Sequence, residues 1–364
     1  MDLEGHQFFT SQLLSWYKPE QRALPWKAIS NPYFIWLSEI ILQQTRVEQG
    51  LPYYLKFIAA YPTVIELANA MDDDVMKLWE GLGYYSRARN MLVAARYIRD
   101  ELQGNFPETY SAVLALKGVG PYTAAAVVSF AYNQPYAVVD GNVYRVLARY
   151  FNIDTPIDST LGKKQFNQLA QQCLDDKQAG IYNQAIMDFG ATLCKPQQPL
   201  CEQCPMQTKC KGLQAGTIKR LPIKEKKVKK RTRYFYFLEI HAEEELVLTQ
   251  RVDKDIWQQL YQFPLIETDQ QLTELSELEK HPLWQDILQE GTYELIQTSK
   301  PYPQQLTHQK IIARFLKIQL KEEIKTLKSP YFLHPAKAIK QFAFPKVIDW
   351  YLGDNSLYLY LNLL

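Results

Sequence analysis

The chain has 364 residues, of which 47% are hydrophobic, and its formal net charge is +2. This length predicts more than one domain, and a charge so close to zero gives no sign of a nucleic-acid binder at the level of the whole chain. The N-terminus, Met1 to His6, lacks the basic start and apolar core of a secretory signal, and the apolar runs are too short to span a bilayer. These features exclude the secreted and membrane classes, so we expect a soluble protein of the cytoplasm.

Helical periodicity dominates the chain up to about residue 215. Asn31 and Pro32 form a start signal for one helix, because Asn caps helix N-termini and Pro is tolerated in the first turn. The segments with apolar residues at helical spacing are 34–42, 75–82, 88–98, 143–150 and 166–173. No convincing strand pattern precedes residue 230, so we predict an all-α first domain over residues 1–215.

A glycine-rich turn, residues 116–123 (LKGVGPYT), lies between two predicted helices. Gly118 and Gly120 can adopt left-handed backbone angles, and Pro121 suits the first turn of the alanine-rich helix that follows. Free amides at a helix N-terminus bind anions, so the turn predicts a site that binds a DNA phosphate. The carboxylate of Asp140 follows beyond the next helix. An ordinary helix–helix turn is the alternative, because two spaced glycines alone are weak evidence.

Four of the five cysteines follow the pattern C-x6-C-x2-C-x5-C, at Cys194, Cys201, Cys204 and Cys210. The short spacings and the intervening prolines predict a tight loop that brings four thiolates around one centre. Such a compact, asymmetric loop favours an iron–sulfur cluster, which needs one thiolate per iron corner, while structural zinc and free thiols stay open as alternatives. Cys173 stands apart on a predicted helix and is expected to be a small buried hydrophobe.

The pattern changes after a basic connector, residues 216–232. Between Lys219 and Arg233 the basic side chains are opposed only by Glu225, which is typical of an extended solvated linker or of a segment that follows a DNA backbone. Residues 234–240 and 246–249 predict strands around an acidic turn, and residues 311–320 predict another strand. With helices predicted over 274–280 and 336–350, residues 233–364 are expected to form an α+β domain.

Together with the turn, Asp140 and the cysteine loop, three sequence strings resemble the endonuclease III superfamily of DNA glycosylases, and within it the adenine glycosylases. The strings are 36–45 (WLSEIILQQT), 81–90 (GLGYYSRARN) and 139–143 (VDGNV), and the similarity covers nearly all of residues 8–212. The resemblance implies a helix-hairpin-helix glycosylase domain with a [4Fe-4S] cluster on the four cysteines, followed by a Nudix-like domain. It also implies a monomeric enzyme of base excision repair that removes adenine opposite 8-oxoguanine or guanine in double-stranded DNA.

The resemblance assigns the chemistry to two carboxyl groups. Glu39 would protonate adenine at N7, because burial on an apolar helix raises the pKa of a carboxyl group. Asp140 would stabilise positive charge on the sugar, while Asn142 and Tyr122 position the carboxylates or water. Tyr122 stands where the lyases of the superfamily carry a nucleophilic lysine, so no Schiff base is expected there. Apart from the resemblance, Glu39 would be a surface residue and Asp140 a helix N-cap.

The resemblance also implies a set of DNA contacts. A flipped base leaves a hole in the duplex, and Gln44 and Tyr84 would fill it near 8-oxoguanine, although core packing is the alternative for Tyr84. Phosphate contacts are expected from two arginines, each of which could equally be a solvated helix residue, and from the glycines of the turn. These phosphate-contacting candidates are Arg87, Arg89, Gly118 and Gly120.

Residues 257–264 (WQQLYQFP) resemble a segment of the Nudix-like domain, but the acidic box that would bind magnesium is absent after Pro264. The domain is therefore expected to recognise 8-oxoguanine rather than to hydrolyse a nucleotide. Its recognition loop aligns with Leu306-Thr307-His308, where the family has Phe-Ser-His, so a hydroxyl group and the histidine are kept, and a plain loop is the alternative. A glycosylase for thymine opposite guanine and a non-enzymatic DNA-binding or redox module are the competing hypotheses.

Overall fold

The computed structural model describes residues 3–18, 22–27, 29–225, 230–288, 293–322 and 327–361. Its contacts divide the chain into two compact units: Met1–Asn69 with Asn90–Lys227, and Ala70–Arg89 with Val228–Leu364. The second unit is therefore discontinuous in sequence, whereas the sequence predicts one uninterrupted domain over residues 1–215. Residues 226–229 of the predicted connector lie outside the described part of the chain.

Helices form the regular structure that precedes the first described strand, which begins at residue 231. They are α1 (Leu3–Trp16), α2 (Pro32–Leu42), α3 (Val47–Ala60), α4 (Val64–Asn69), α5 (Asp72–Leu78), α6 (Ser86–Glu101), α7 (Tyr110–Leu114), α8 (Pro121–Tyr132), α9 (Gly141–Phe151), α10 (Thr160–Cys173), α11 (Ala179–Thr192) and α12 (Lys211–Gln214). The predicted helical character up to about residue 215 is confirmed. Within the described ranges, no helix combines the length and apolar character needed to cross a membrane.

Local sequence explains where α2 and α9 begin. Asn31 caps α2, since its side chain accepts hydrogen bonds from the backbone N–H groups of Tyr33 and Phe34, at 2.9 and 3.4 Å. Pro32 occupies the first turn, where its missing N–H has no helical partner to lose. Asp140 caps α9 through backbone N–H groups of the next turn. The helices predicted over 34–42 and 143–150 are therefore confirmed, with their start signals.

The helix predicted over residues 75–82 ends earlier than expected. α5 ends at Leu78, and the chain then passes through Gly81 and Gly83, whose φ angles are 86° and 79°. Glycine adopts these left-handed angles without steric cost, so the chain turns before α6 begins at Ser86. The prediction is right about the type of element and wrong about its C-terminal end.

The core of the first unit lies among α1, α8, α9, α10 and α11. Phe9, Leu147, Phe166 and Phe189 are fully or almost fully buried in it. Cys173 is buried with them, and burial raises the pKa of its thiol to about 12, so the prediction of a small buried hydrophobe is confirmed. Burying each large apolar side chain contributes about 1.5–3 kcal/mol, and the core thereby holds α8, α9 and α11, which carry site residues, in fixed positions.

The second unit is built on a mixed sheet. Its strands are β1 (Arg231–Ala242), β2 (Glu245–Gln250), β3 (Tyr261–Gln262), β4 (Leu265–Thr268), β5 (Tyr293–Thr298), β6 (Tyr302–Gln305), β7 (Gln309–Leu320) and β8 (Phe332–Pro335). β1 and β7 pair in parallel at the centre, and the other pairings are antiparallel. The strands predicted over 234–240, 246–249 and 311–320 are confirmed, and so is the α+β character of this part of the chain.

The helices that accompany the sheet are α13 (Leu275–Glu279), α14 (Pro282–Leu288) and α15 (Lys346–Leu361). The prediction of a helix over 274–280 is confirmed, but the single helix predicted over 336–350 is wrong. Ala336–Gln341 forms a 3₁₀ helix, Phe342 is extended, and α15 begins after Pro345. Proline lacks a backbone N–H and disfavours a helical residue before it, which explains the interruption.

Hydrogen bonds tie the segment Ala70–Arg89 to the rest of the second unit. Glu80 Oε1 accepts from the backbone N–H of Phe344 at 2.9 Å, and the Tyr261 hydroxyl donates to Asp73 Oδ2 at 2.9 Å. Both bonds join residues that are far apart in sequence, so no local pattern signals them. They explain why this segment groups with the sheet.

Candidate active site and recognition pocket

The glycine-rich turn joins α7 to α8, and its two glycines differ. Gly118 has a φ of 80°, and a Cβ added there would lie 2.6 Å from Cβ of Asn90, so backbone angle and space both require glycine. Gly120 is extended, with φ −102° and ψ 174°, and its surroundings are open. The predicted left-handed angle is therefore right for Gly118 and wrong for Gly120. In the described structure no side chain caps α8, so its first amides are placed to bind an anion.

Glu39 lies on α2 and faces a cavity of about 660 Å³ in the first unit. Tyr122 from α8, and Asp140 and Asn142 at the start of α9, line the same cavity, as does the exposed Gln44. Burial raises the pKa of Glu39 to about 7; a hydrogen bond with Tyr122 opposes this shift and the charge of Asp140 adds to it. The raised pKa predicted for this carboxyl group is confirmed, and the four predicted catalytic residues lie in one site.

Hydrogen bonds fix the Asp140 carboxylate. Oδ1 accepts from the backbone N–H groups of Asn142 and Val143, and Oδ2 accepts from the side-chain amide of Asn142, all at 2.8 Å. Burial raises the pKa of Asp140, while these hydrogen bonds and the charge of Arg145 lower it. Desolvation outweighs the hydrogen bonds, so the net shift of the Asp140 pKa is upward.

Arg145, on α9, holds Asn142 from the other side. Its guanidinium donates to Asn142 Oδ1 at 2.8 Å and to the backbone oxygens of Gly190 and Cys194 at 2.7 and 2.8 Å. A Cβ added at Gly190 would lie 2.7 Å from Cβ of Asn142, so α11 approaches this residue closely only because it carries glycine there. Asn142 is therefore fixed between the Asp140 carboxylate and a buried cation.

The second unit contains a cavity of about 440 Å³, lined by residues 81–86 and 304–309 among others. We call it the recognition pocket. Tyr84 and Thr307, both predicted to lie near the partner base, line it, and their hydroxyl groups hydrogen-bond to each other; His308 also lines it. Tyr84 has a φ of 49° and is 42% exposed, so the alternative of core packing beside Tyr85 is wrong.

The two arginines of this segment have partners within the protein. Arg87 is buried, its guanidinium lies 5.0 Å from the centroid of the Trp79 ring, and it donates to the Gly83 backbone oxygen at 3.0 Å. Arg89 donates to the Gln258 backbone oxygen at 2.7 Å and lines the recognition pocket. The structure thus gives Arg87 a packing role, which neither the phosphate-contact nor the solvated-residue interpretation anticipates.

The four clustered cysteines line one small cavity of about 30 Å³ beside α9 and α11. No disulfide joins them in the described structure, and the buried Arg149 donates to Sγ of Cys194 at 3.6 Å. Among the described residues, no group of three or more His, Cys, Asp or Glu side chains is arranged to hold a metal ion. The loop brings the four sulfurs to one cavity.

Comparison with known proteins relates these features to one family. The family described as "HhH-GPD superfamily base excision DNA repair protein" matches residues 37–175. An adenine DNA glycosylase from Mus musculus is 43% identical over 226 residues, covering 59% of this chain and 44% of the relative. An adenine DNA glycosylase from Buchnera aphidicola subsp. Baizongia pistaciae (strain Bp) is 35% identical over 259 residues, covering 70% of this chain and 73% of the relative. The chain belongs to the adenine DNA glycosylase family.

Within the adenine DNA glycosylase family the chain spans less than half the length of the mouse relative, 44% of which it matches. A solved thermostable thymine-DNA glycosylase is also similar, with a TM-score of 0.54 and 29% identity, covering 58% of this chain and 98% of that one. The superfamily match includes Glu39, Tyr122 and Asp140, whereas the cysteine loop lies outside it.

A charged cluster that no sequence pattern predicts lies in the same cavity as Glu39. Asp188 on α11 pairs with Arg22, at 2.8 Å, and with Lys27, and all three line the cavity together with Glu39. Burial lowers the pKa of Lys27, while Asp188 raises it. The partners lie more than 150 residues apart in sequence, so no local spacing signals the cluster. Arg145 was not predicted either, although its position one helical turn after Asn142 is a local spacing that could have indicated the contact.

Proposed function

We propose that the chain is an adenine DNA glycosylase that hydrolyses the N-glycosidic bond of adenine opposite 8-oxoguanine or guanine in double-stranded DNA, acting as a monomer in base excision repair. One observation carries the proposal: the buried Glu39, whose pKa is raised to about 7, shares a cavity with Asp140 and Tyr122. Membership of the adenine DNA glycosylase family agrees with it.

Glu39 is the general acid. Adenine leaves deoxyribose slowly unless it is protonated, and N7 is the atom that receives the proton. A carboxyl group with a pKa near 7 is substantially protonated at neutral pH and still gives up its proton readily, which is the compromise that general acid catalysis needs. The hydrogen bond between Glu39 and the Tyr122 hydroxyl orients the carboxyl group in the cavity.

Asp140 stabilises the positive charge that develops on the sugar as the base departs. Its carboxylate is held by hydrogen bonds from Asn142 and Val143, so it need not reorganise when the charge appears. Arg145 in turn holds Asn142 in place. Water then attacks the sugar and completes the hydrolysis.

Tyr122 makes the reaction monofunctional. It occupies the position in the hairpin at which lyases of the superfamily would carry a lysine. Burial raises the pKa of Tyr122 well above its usual value, and the charges of Glu39 and Asp140 add to the shift, so the phenol stays protonated. A phenol forms no imine with the sugar aldehyde, so this hairpin removes the base without cutting the strand.

The second unit, which we assign to the Nudix-like class, reads the base opposite adenine. The recognition pocket offers an exposed aromatic ring at Tyr84 and the hydroxyl and imidazole groups of Thr307 and His308. An aromatic ring can replace the stacking lost when a base is flipped, and hydroxyl groups can hydrogen-bond to the altered edge of 8-oxoguanine. Gln44 fills the space that the flipped adenine leaves.

The cysteine loop fits a [4Fe-4S] cluster. Four thiols that line one cavity match a cubane, which takes one thiolate per iron. Cys194, Cys201, Cys204 and Cys210 would hold the cluster. When bound it would order the loop, and it takes no part in the proton transfer or in sugar stabilisation.

We expect Cys204→Ser to lose most of its bound iron and to unfold at lower temperature, because one corner of the cluster loses its thiolate. The matched control is Cys173→Ala, which should keep its iron because Cys173 lies in the core of the first unit. Metal and acid-labile sulfide analysis of both anaerobically purified proteins, with melting curves, measures the effect. Stoichiometric zinc in the wild type, or unchanged iron in Cys204→Ser, would contradict the assignment.

Single-turnover excision assays on three matched duplexes test the proposed function. We expect rapid release of adenine opposite 8-oxoguanine, slower release of adenine opposite guanine, and no release of thymine opposite guanine. Strand breaks that form before alkali treatment would overturn the monofunctional mechanism. Release of thymine would instead support the thymine glycosylase hypothesis, which the 29% identity to a thymine-DNA glycosylase makes the natural alternative.

A further inference from the structure

A buried guanidinium lies behind the recognition pocket. Arg233, near the start of β1, has a side chain that is only 7% exposed. Its Nε and Nη2 donate to the two oxygens of Glu267, both at 2.6 Å. Its Nη1 and Nη2 donate to the two oxygens of Asp255 at 3.0 and 2.6 Å. The planar guanidinium therefore forms bidentate ion pairs with two carboxylates, one along each of two edges.

These two bidentate ion pairs fix the orientation of the Arg233 side chain. A single bidentate ion pair leaves a guanidinium free to move about the shared axis, whereas two bidentate pairs on different edges restrict that motion. Burying a cation is costly unless it is paired and hydrogen-bonded, and here both conditions are met. Nη1 also donates to Oε1 of Gln309 at 3.3 Å, so the rigid guanidinium holds a third side chain.

Gln309 connects this network to the loop that faces the pocket. It is the first residue of β7 and directly follows Leu306-Thr307-His308. The backbone N–H of Leu306 donates to the backbone oxygen of Gln309 at 2.8 Å. The backbone oxygen of His308 accepts from the backbone N–H of Arg231 at 3.3 Å. Residues 306–308, which we call the recognition loop, are thus anchored at their base by β1 and by the Arg233 side chain.

The opposite side of the network also meets the pocket. Asp255, which forms an ion pair with Arg233, lines the recognition pocket together with Gln309, Thr307 and His308. An unpaired carboxylate at this wall would repel a nucleic acid, but Asp255 is paired with Arg233 and also with Arg251, which donates to Oδ2 at 2.9 Å. Arg233 therefore holds the recognition loop through Gln309 and, together with Arg251, pairs with the carboxylate in the wall of the pocket.

We propose that Arg233 is a positioning residue that fixes the recognition loop through Gln309 and thereby sets the preference for adenine opposite 8-oxoguanine over adenine opposite guanine. The inference rests on the proposed function and adds a determinant of its specificity. The two partner bases differ at only two neighbouring atoms of the purine edge. Discrimination between them needs donors and acceptors held in one position, because a mobile loop would satisfy either base equally well.

The test uses full-length wild type, Gln309→Leu, Arg233→Lys and the control Arg231→Gln. Gln309→Leu leaves both ion pairs in place, so it separates loop positioning from folding. Arg233→Lys keeps the charge but loses the two forks. Arg231→Gln removes a nearby exposed Arg–Asp pair while keeping its backbone bond to His308. Single-turnover rate constants and duplex dissociation constants are measured for adenine opposite 8-oxoguanine and opposite guanine, with a melting curve for each protein.

We expect the preference for the 8-oxoguanine duplex to fall about tenfold in Gln309→Leu and Arg233→Lys, in the range of coupling within side-chain networks. The maximal rate on the guanine duplex should change less than about threefold, and Arg231→Gln should behave like wild type. A preference kept within twofold in both variants, or an equal loss on both duplexes, would overturn the inference alone. Equal rates on the two duplexes in the wild type would overturn the proposed specificity, and the inference with it.

Discussion

Glu39→Gln is expected to lower the rate of adenine excision at least about 10³-fold while the protein still binds the mispaired duplex. Glutamine has the same shape and remains buried, but it has no proton to give to N7, and general acid catalysis typically contributes about 10²–10⁴-fold. Single-turnover excision and duplex dissociation constants measure the two effects separately. Glu48→Gln, the same change at an exposed position of α3, is the control and should leave the rate unchanged.

The pH dependence of the excision rate and of the stability provides a second test of the role of Glu39. Since only the protonated acid is active, the wild-type rate should fall as pH rises through about 7, the pKa of Glu39. The pKa of Glu39 is raised from its ordinary value of 4.5 to about 7 in the folded protein, so the folded state binds this proton more tightly than the unfolded state. The free energy of unfolding therefore falls as pH rises from about 4.5 through about 7, by up to about 3 kcal/mol. Glu39→Gln should therefore unfold at a higher temperature than wild type at pH 8. An active variant, or an inactive one with a lower melting temperature at pH 8, would refute this account of Glu39.

Asp140→Asn is expected to lower the excision rate by about 10²–10³-fold with little change in stability. Asparagine still offers an oxygen to the backbone N–H groups of Asn142 and Val143, so α9 keeps its cap, but the negative charge that faces the sugar is gone. The measurement is single-turnover excision combined with a melting curve.

Asp140→Ala provides the contrast for this substitution. It removes the cap together with the charge, so it should lose the same activity and also about 1 kcal/mol of stability. If Asp140→Asn kept the rate within tenfold of wild type, the carboxylate would be a helix cap and no more, as the sequence alone suggests.

Sequence was sufficient where the relevant physics is local. The Asn31 cap and Pro32 locate the start of α2. The raised pKa of Glu39 follows from its apolar neighbours only together with the family resemblance, since the sequence pattern alone favours a surface glutamate. Local reasoning did not give the direction of the Asp140 pKa shift, because the burial that outweighs the capping amides is a property of the assembled cavity. It also failed for Gly120, whose type suggests a left-handed angle that the turn does not use.

What the sequence could not give depends on residues brought together from distant positions. Asp188 meets Arg22 across 166 positions, and Tyr84 meets Thr307 across 223. Spacing rules describe neighbours on one helix or strand, so they contain no information about such pairs. Arg87 is the instructive case: an arginine in a DNA-binding family suggests a phosphate contact, yet its ring contact with Trp79 and its burial make it part of the packing.

The interleaving of Ala70–Arg89 with the sheet affects how the protein can be dissected. By the domain boundary that the sequence predicts, cutting the gene within the basic connector gives one catalytic and one recognition fragment. The catalytic fragment would carry Asp73 and Glu80 away from Tyr261 and the backbone of Phe344, leaving polar groups and apolar surface without their partners. Activity lost on truncation would then mix misfolding of that segment with loss of base recognition. Point substitutions within the intact chain, rather than fragments, are the means of assigning work to each unit.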